Sequence, residues 1–211
     1  MRKLIFATLA LVFVIATPGA GTCGPLLNEM MADPAQDWDG DGTYEYRRDE
    51  WIEIVNPDLT PLDLAGYYLA DDAGGLVYGF TGTLAPGEVR VVYGSESIAW
   101  ETANGVSTTG LRLGNDGDTA QLLQMVGGVP VLVDAYTYNT YEAEDDRSSG
   151  RMPDGGVEWQ LFDALNPYGG SASPPGNGLP PTPGSLNDGG SPPVPTLEAN
   201  WGQIKALYSS M

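Results

Sequence analysis

Short apolar runs separated by turn-forming clusters are the feature of this sequence that most restricts its fold. The runs are rich in Val, Ile, Leu, Tyr and Trp, and the clusters between them consist of Gly, Pro, Asp and Asn. This pattern predicts β-strands bounded by turns, and no sustained helical periodicity precedes the last fifteen residues. About eight short strands in this arrangement are typical of an all-β, two-sheet sandwich. The predicted strands are Leu26–Met31, Trp51–Asn56, Gly66–Leu69, Val77–Thr81, Glu88–Tyr93, Gly110–Leu113, Thr119–Val126 and Val129–Tyr138.

The turn at Gly127-Gly128 predicts how the last two of these strands pair. Two consecutive glycines readily adopt the positive φ angles that a two-residue hairpin turn requires. We therefore expect Thr119–Val126 and Val129–Tyr138 to pair antiparallel. Pro130 has no backbone N–H for a second neighbouring strand, so the hairpin is expected to involve a sheet edge.

Residues 1–23 have the composition of a secretory signal peptide. Arg2 and Lys3 provide a positively charged start, and residues 4–17 form an uncharged apolar run that is followed by Pro, Gly and Ala. We expect a mature protein that is secreted or held at the cell surface. Cys23 is the only cysteine. It is either the lipid-bearing residue of a lipoprotein or a residue next to an ordinary cleavage site.

Acidic residues dominate the charge of this chain. The formal net charge is −19, and without Arg2 and Lys3 seven of the nine basic residues remain against 28 acidic ones, a charge near −21. Such a surface repels phosphate backbones, so nucleic acid is not an expected partner. After residue 23 no apolar run is long enough to predict a transmembrane segment.

Changes in composition divide the chain after the signal peptide into three segments. Residues 24–165 hold the predicted strands and form the expected sandwich domain. Residues 166–195 are rich in Pro, Gly and Ser and have few large apolar side chains, which is typical of a loop or linker. Residues 196–211 place apolar side chains at helical spacing and predict a short amphipathic C-terminal helix. Its candidate docking residues are Trp201, Ile204, Leu207 and Tyr208.

Seven sequence blocks occur in the order that is typical of one family. The early blocks are LNEMMADP at 27–34, EWIEIVN at 50–56 and LDLAGYYLADD at 62–72. The later blocks are LAPGE at 84–88, LGNDGD at 113–118, SGRMPDG at 149–155 with Trp159, and PTPGSLN at 181–187. In these residues the chain resembles the bacterial lamin tail domain.

This resemblance implies an immunoglobulin-like β-sandwich of about eight or nine strands, to which the short C-terminal helix is added. It also implies a non-catalytic module of the kind that bacteria attach to secreted hydrolases or sort to the cell surface. The resemblance does not imply a particular ligand. From their residue types, we expect Trp51 and Trp159 to fill the core and Arg151 to bind a carboxylate or carbonyl oxygens that hold a late loop.

An acidic loop between the first two predicted strands is the sharpest local motif. Residues 37–42 have the sequence DWDGDG, in which carboxylates alternate before a Gly, as in the first half of an EF-hand calcium loop. The glutamate usual at the twelfth position is missing, since that place falls on Arg48, and a nearby carboxylate would have to replace it. The alternative is a solvated acidic insertion. The candidate calcium ligands are Asp37, Asp39, Asp41, Glu45, Asp49 and Glu50.

The residues that most enzymes use are scarce in this chain. It has no histidine, so the Ser/His/Asp and Cys/His arrangements are excluded together with the commonest general base. A carboxylate pair can hydrolyse glycosides, but no sequence feature distinguishes one pair among 28 acidic residues. We therefore expect no enzymatic activity.

Three functions stay open at this point. The leading hypothesis is a secreted or cell-surface binding or scaffold module, with calcium as a candidate stabilising ion and an extracellular or envelope protein or glycan as its partner. The C-terminal helix would dock on that partner, or alternatively pack on its own domain. The other hypotheses are a calcium-dependent carbohydrate-binding module and a carboxylate-based extracellular hydrolase.

Overall fold

A computed structural model describes residues 24–71 and 75–187. The predicted signal peptide with Cys23 and the predicted C-terminal helix with Trp201, Ile204, Leu207 and Tyr208 lie outside the described residues and stay predictions. Neither helix within 24–71 and 75–187 has the length and hydrophobicity needed to cross a membrane.

Strands dominate the described part of the chain, where they number eleven and are joined by two helices. In chain order these elements are β1 (Leu26–Met31), α1 (Tyr46–Asp49), β2 (Trp51–Val55), β3 (Leu62–Asp63), β4 (Tyr67–Ala70), β5 (Leu76–Gly79), β6 (Thr83–Leu84), β7 (Val89–Tyr93), α2 (Gly94–Asn104), β8 (Gly117–Val126), β9 (Val129–Asn139), β10 (Ser148–Arg151) and β11 (Trp159–Phe162).

The strands form two principal sheets. The first has the order β11-β10-β1-β2-β7, the second has the order β5-β4-β8-β9, and β3 and β6 form a small ribbon. All neighbouring strands in the sheets run antiparallel. The prediction of an all-β, two-sheet sandwich is therefore confirmed.

The core lies between the two sheets because each strand turns its alternate side chains inward. Leu27 of β1 and Ile52 and Ile54 of β2 pack in one cluster with Leu69 of β4 and Leu122 of β8. These five side chains are almost completely shielded from solvent. Their burial is the main source of stability in a domain whose described part contains no disulfide.

The predicted hairpin of β8 and β9 is confirmed. Val126 faces Val129 across the turn, and Gly127 and Gly128 have φ angles of 60° and 83°. These positive angles are the ones that a two-residue turn needs and that larger residues avoid. β9 is an edge strand, as Pro130 indicated.

The predicted strand Gly110–Leu113 is not a strand. Leu111 and Leu113 are buried as its pattern required, but Arg112 between them has a φ of 61°. Two backbone N–H groups of this segment bind carboxylates instead of a neighbouring strand. Gly110 donates to Glu101, and Leu113 donates to Glu50.

Helix α2 contradicts the prediction that no helix precedes the C-terminal residues. Its buried positions are Gly94, Ser97 and Glu101, so the side of the helix that packs inward is small or polar and shows no apolar periodicity. A Cβ atom at Gly94 would lie 1.7 Å from the backbone oxygen of Arg47, which is why only glycine fits where α2 meets α1. Ser97 Oγ then donates to the backbone oxygen of Val77 in the opposite sheet.

Strands β10 and β11 extend the first sheet beyond the predicted strands. β10 has the sequence SSGR, which lacks the apolar side chains that mark a strand, and all four residues are buried. Trp51 is fully buried, as predicted, whereas Trp159 is half-buried. Arg151 makes the predicted bridge, because its guanidinium donates to the backbone oxygens of Leu27 and Gly156 and to Asp134.

The first sheet is covered on its outer face as well, so this face does not meet solvent. Trp51 and Glu53 of β2 point to this face, on the side opposite to Ile52 and Ile54, and both are fully buried. The cover includes residues 181–187, which we call the strap and which bind the buried acids described below. Residues 166–187 form mostly loop, as predicted, but they are bound to the sandwich and do not form a free linker.

Candidate metal site and binding surface

The acidic loop between β1 and β2 is closed by hydrogen bonds from its own backbone. The N–H groups of Gly40 and Gly42 each donate over 2.8 Å to the carboxylate of Asp37. The N–H group of Asp41 donates over 2.9 Å to Asp39 Oδ1. Because Gly42 has a φ of 89°, the chain curls around the carboxylates as the sequence motif predicted.

Asp49 anchors this loop from the end of α1. Its Oδ1 accepts the N–H groups of Trp38 at 2.7 Å and Asp39 at 3.1 Å, and its Oδ2 accepts the N–H group of Glu45 at 2.8 Å. The single turn of α1 brings Asp49 back beside the start of the loop. The Asp49 side chain is fully buried there. Three backbone donors from the loop therefore converge on this one side chain.

Three of the six predicted calcium ligands come together. Ligand oxygens of Asp37, Asp39 and Asp49 lie within 4.8 Å of one another. Calcium takes oxygen ligands at about 2.3–2.6 Å, so one ion placed among these oxygens can contact all three. A calcium ion also needs three or more further oxygens, which water and backbone carbonyls commonly supply.

The other three predicted ligands lie outside this group. Asp41 forms an ion pair with Arg48 at 3.2 Å. Glu45 takes part through its backbone, as a donor to Asp49. Glu50 points into the interior, where it accepts the N–H group of Leu113 and where burial raises its carboxyl pKa well above the ordinary value. The predicted ligand set is therefore corrected at Glu50, whose side chain does not face the loop.

A second group of acids, which sequence analysis did not identify, is buried beneath the strap. Glu29, Glu53 and Asp154 are 0%, 0% and 1% exposed. The Asn28 amide joins two of them, because its Nδ2 donates to Glu53 Oε1 at 2.8 Å and to Asp154 Oδ1 at 2.7 Å. We call these three acids the buried carboxyl cluster.

The strap is held by one hydrogen bond or more to each acid of this cluster. Thr182 Oγ1 lies 2.6 Å from Glu29 Oε2, and the Thr182 N–H group donates to the same carboxyl group. The Gly184 N–H group donates to Glu53 over 2.8 Å, and the Asn187 N–H group donates to Asp154 over 3.0 Å. The cluster therefore fixes the end of the described chain on the first sheet.

Burial raises the pKa of Glu29 to about 7 and that of Glu53 to about 8. The cause is loss of solvation, which disfavours the charged form of a carboxyl group. The sequence contained a signal for one of these residues, since Glu53 lies between Ile52 and Ile54 in a strand that is otherwise entirely apolar. Trp51 and Val55 share the face of Glu53, and these apolar neighbours indicate that the outer face is covered.

The three acids of the buried carboxyl cluster are almost completely shielded from solvent. Two depressions on the described surface have volumes of about 480 Å³ and 300 Å³, and none of the three cluster acids lines either of them. The smaller depression contains Trp159, whose ring faces are covered by the Tyr136 ring at 3.6 Å and the Arg151 guanidinium at 4.8 Å. Its indole therefore offers no open face on which a sugar could stack.

The tip of the β8–β9 hairpin exposes apolar side chains. Residues 125–133 carry no charge in a protein with a net charge of −19. We call four of these side chains the hairpin patch: Val126, Val129, Val131 and Leu132, with exposed fractions of 53%, 61%, 47% and 58%. Exposed apolar side chains gathered at one end of a sheet, where no charge interrupts them, are a candidate contact with another molecule.

Comparison with known proteins identifies the family of this chain. The family model for the Lamin Tail Domain matches residues 20–140, which is more than half of the sequence and includes every strand from β1 to β9. No curated protein and no solved structure matches the chain. Strands β10 and β11 and the strap follow the matched residues. The chain therefore belongs to the lamin tail domain family and folds as the immunoglobulin-like β-sandwich that its sequence blocks implied.

Proposed function

We propose that this protein is a non-catalytic binding module that acts outside the cell, secreted or at the cell surface. Its partner in this proposal is an extracellular or envelope protein with an apolar surface. The observation that carries the proposal is the hairpin patch, because it exposes four large apolar side chains at the edge of a strongly acidic protein.

The hairpin patch suits contact through side chains better than addition of a strand. Pro130 lies in the middle of the exposed part of β9, opposite Met125. A proline on an edge strand removes a backbone donor and so opposes pairing with a strand of another molecule. A partner would therefore cover the valines and Leu132 with an apolar surface of its own.

The non-catalytic role in this proposal is supported by the hydrogen bonds of the buried acids. Each acid of the buried carboxyl cluster accepts hydrogen bonds from the strap, and a general acid or nucleophile would have to face a substrate instead. In the proposal, the C-terminal residues Trp201, Ile204, Leu207 and Tyr208 add a second contact with the same partner.

Calcium stabilises the acidic loop in this proposal. The carboxylates of Asp37, Asp39 and Asp49 repel one another at their short separations, and a divalent cation would cancel that repulsion. Calcium should raise the melting temperature of chelator-treated protein, by a few degrees at a concentration of about 100 times the Kd. Asp39→Asn should abolish this rise, whereas Glu158→Gln, which removes an exposed acid elsewhere, should retain it. No rise in the wild type would end the calcium proposal and leave the binding proposal intact.

The binding proposal is tested by cross-linking the purified mature protein to the envelope fraction of its own cells. The double variant Val131→Asp/Leu132→Asp should lose at least nine-tenths of the cross-linked product, because charge would be buried in an apolar contact. Val106→Asp changes an exposed valine at the end of α2 and serves as the matched control. Equal product from both variants and the wild type would refute a contact through the hairpin patch.

A further inference from the structure

The buried carboxyl cluster has more acids than its surroundings can keep ionised. Glu53 of β2 and Asp154 of the loop after β10 are the charged groups that face Glu29, and both are acids. From β10 and the strap, Glu29 meets Ser148, Gly150, Thr182 and Asn187, which carry no charge.

Arg151 is the basic residue closest in sequence to this cluster, and its guanidinium is directed elsewhere. It donates to two backbone oxygens and to Asp134. Three unscreened negative charges at this depth would cost several kcal/mol each. One proton or more must therefore be bound by the cluster.

The hydrogen bonds of Thr182 show where such a proton lies. Thr182 Oγ1 is 2.6 Å from Glu29 Oε2 and 2.9 Å from Asn187 Oδ1. The orientation of the Asn187 amide is fixed, because its Nδ2 donates to the backbone oxygen of Arg151 at 2.9 Å. A hydroxyl has one hydrogen and cannot donate to both oxygens. If the hydroxyl donates to Asn187 Oδ1, the short contact with Glu29 Oε2 requires Glu29 to be the donor.

The hydrogen-bond partners of Glu53 and Asp154 differ from those of Glu29. Glu53 Oε1 accepts from Asn28 and Oε2 accepts from the Gly184 N–H group, so both of its oxygens face donors. Asp154 likewise accepts from the Asn28 amide and the Asn187 N–H group. Hydrogen-bond geometry therefore separates Glu29, which faces a hydroxyl able to accept, from Glu53, whose two oxygens each face an N–H donor.

We propose that Glu29 is protonated in the folded protein at mildly acidic pH and donates to Thr182 Oγ1, so that binding of this proton keeps the strap on the first sheet. Loss of the proton forces the Thr182 hydroxyl to turn toward Glu29 and leaves Asn187 Oδ1 without its donor. It also adds a negative charge beside Glu53 and Asp154. Alkaline conditions should consequently release residues 181–187 before the sandwich itself unfolds.

The strap is the last described segment before residues 188–211, so its release would change how the C-terminal residues are attached to the domain. The pKa of Glu29, raised by burial to about 7, places this change near neutral pH. Coupling to Glu53 widens the range over which the cluster as a whole titrates.

Hydrogen exchange followed by mass spectrometry tests the proposal in the full mature chain. The observable is the protection factor of residues 181–187, corrected for the intrinsic pH dependence of exchange, between pH 6 and pH 9. In the wild type it should fall at least tenfold with rising pH, while a peptide from β8 stays protected. Protection of 181–187 that is constant from pH 6 to pH 9 would overturn the proposal.

Two variants distinguish a bound proton from a merely buried acid. In Glu29→Gln the side-chain amide donates to Thr182 at every pH, so the strap should stay protected at pH 9. In Glu53→Gln the new NH₂ group must face either the Asn28 amide donor or the Gly184 N–H group, whichever way the side chain is turned, so protection should fall at pH 6 and pH 9 alike. If Glu29→Gln released the strap with the same midpoint as the wild type, Glu29 would not be the controlling group. Circular dichroism confirms that each variant keeps its strands.

Discussion

The protein holds two groups of three carboxylates, and they are built in opposite ways. Asp37 and Asp39 lie in a surface loop and Asp49 lies buried at the end of α1, and each of them accepts backbone N–H groups of that loop. Glu29, Glu53 and Asp154 lie beneath the strap and join segments that are distant in sequence. The first group folds one loop around itself, while the second group connects β1, β2 and the strap.

This difference shows how one residue type performs two tasks. In the loop, backbone N–H groups hold carboxylate oxygens at short separations, and such a group of oxygens suits a divalent cation. In the interior, charge is costly, so acids retain a proton and act as hydrogen-bonding partners. Substitutions in the two groups should therefore differ in how much they change stability and in how that change depends on pH.

The largest effect is expected from Asn28→Ala. The Asn28 amide donates to Glu53 and Asp154, and its Oδ1 accepts the Gly155 N–H group at 3.1 Å. Its loss leaves two buried acids short of donors and should lower the free energy of unfolding by about 4 kcal/mol. Urea denaturation measures the change. Asn104→Ala, at the exposed end of α2, is the control and should cost under about 0.5 kcal/mol; equal losses would contradict the structural role of the cluster.

The pH dependence of stability should be the next largest effect. Because folding raises the pKa of Glu29 to about 7 and that of Glu53 to about 8, the folded state binds more protons than the unfolded state above pH 4.5. The stability that this extra proton binding gives to the folded state is fully present below pH 4.5 and is lost as the pH rises to about 8. The contribution of Glu29 alone to this fall in the free energy of unfolding should be about 3 kcal/mol.

Urea titrations at intervals from pH 4.5 to pH 9 test this slope. Glu29→Gln removes one of the two titrating groups and should make the slope shallower. A wild-type stability that rises steadily toward pH 9 would contradict the assignment of raised pKa values to the cluster.

A smaller effect should separate two acids of the surface loop in the presence of chelator. Asp49→Ala removes the acceptor of three backbone N–H groups and should cost about 2 kcal/mol. Asp39→Asn keeps an acceptor for the Asp41 N–H group and should cost under about 0.5 kcal/mol. Thermal melts of both variants measure the difference, and a larger loss for Asp39→Asn would show that Asp49 does not anchor the loop.

The strands that were predicted correctly are those whose own residues form a pattern of apolar side chains bounded by turn residues. The hairpin is an example, since alternating apolar residues and two glycines suffice to define β8, β9 and the turn between them. Local pattern also located the acidic loop, because the spacing of Asp37, Asp39 and Asp41 is a property of neighbouring residues. The position of Asp49 beside them depends on the turn of α1, which the spacing alone does not define.

The elements that were not predicted depend on partners far along the chain. Residues 110–113 resemble a strand, but carboxylates of Glu50 and Glu101 bind two of their N–H groups. Helix α2 packs through Gly94, Ser97 and Glu101, none of which contributes to an apolar periodicity. The buried carboxyl cluster is likewise formed by tertiary contacts, which a search for short motifs does not detect.

The bonds between Thr182 and Glu29 also determine when the domain can be completed. These residues are 153 positions apart, so the first strand acquires its last partners only after almost the whole domain is available. Contacts with such long sequence separation form slowly because a large loop must close first. A chain emerging from a ribosome or a translocation pore would expose the outer side of its first sheet until residue 182 had arrived. Completion of this fold is thus a late event, set by the arrival of its final segment.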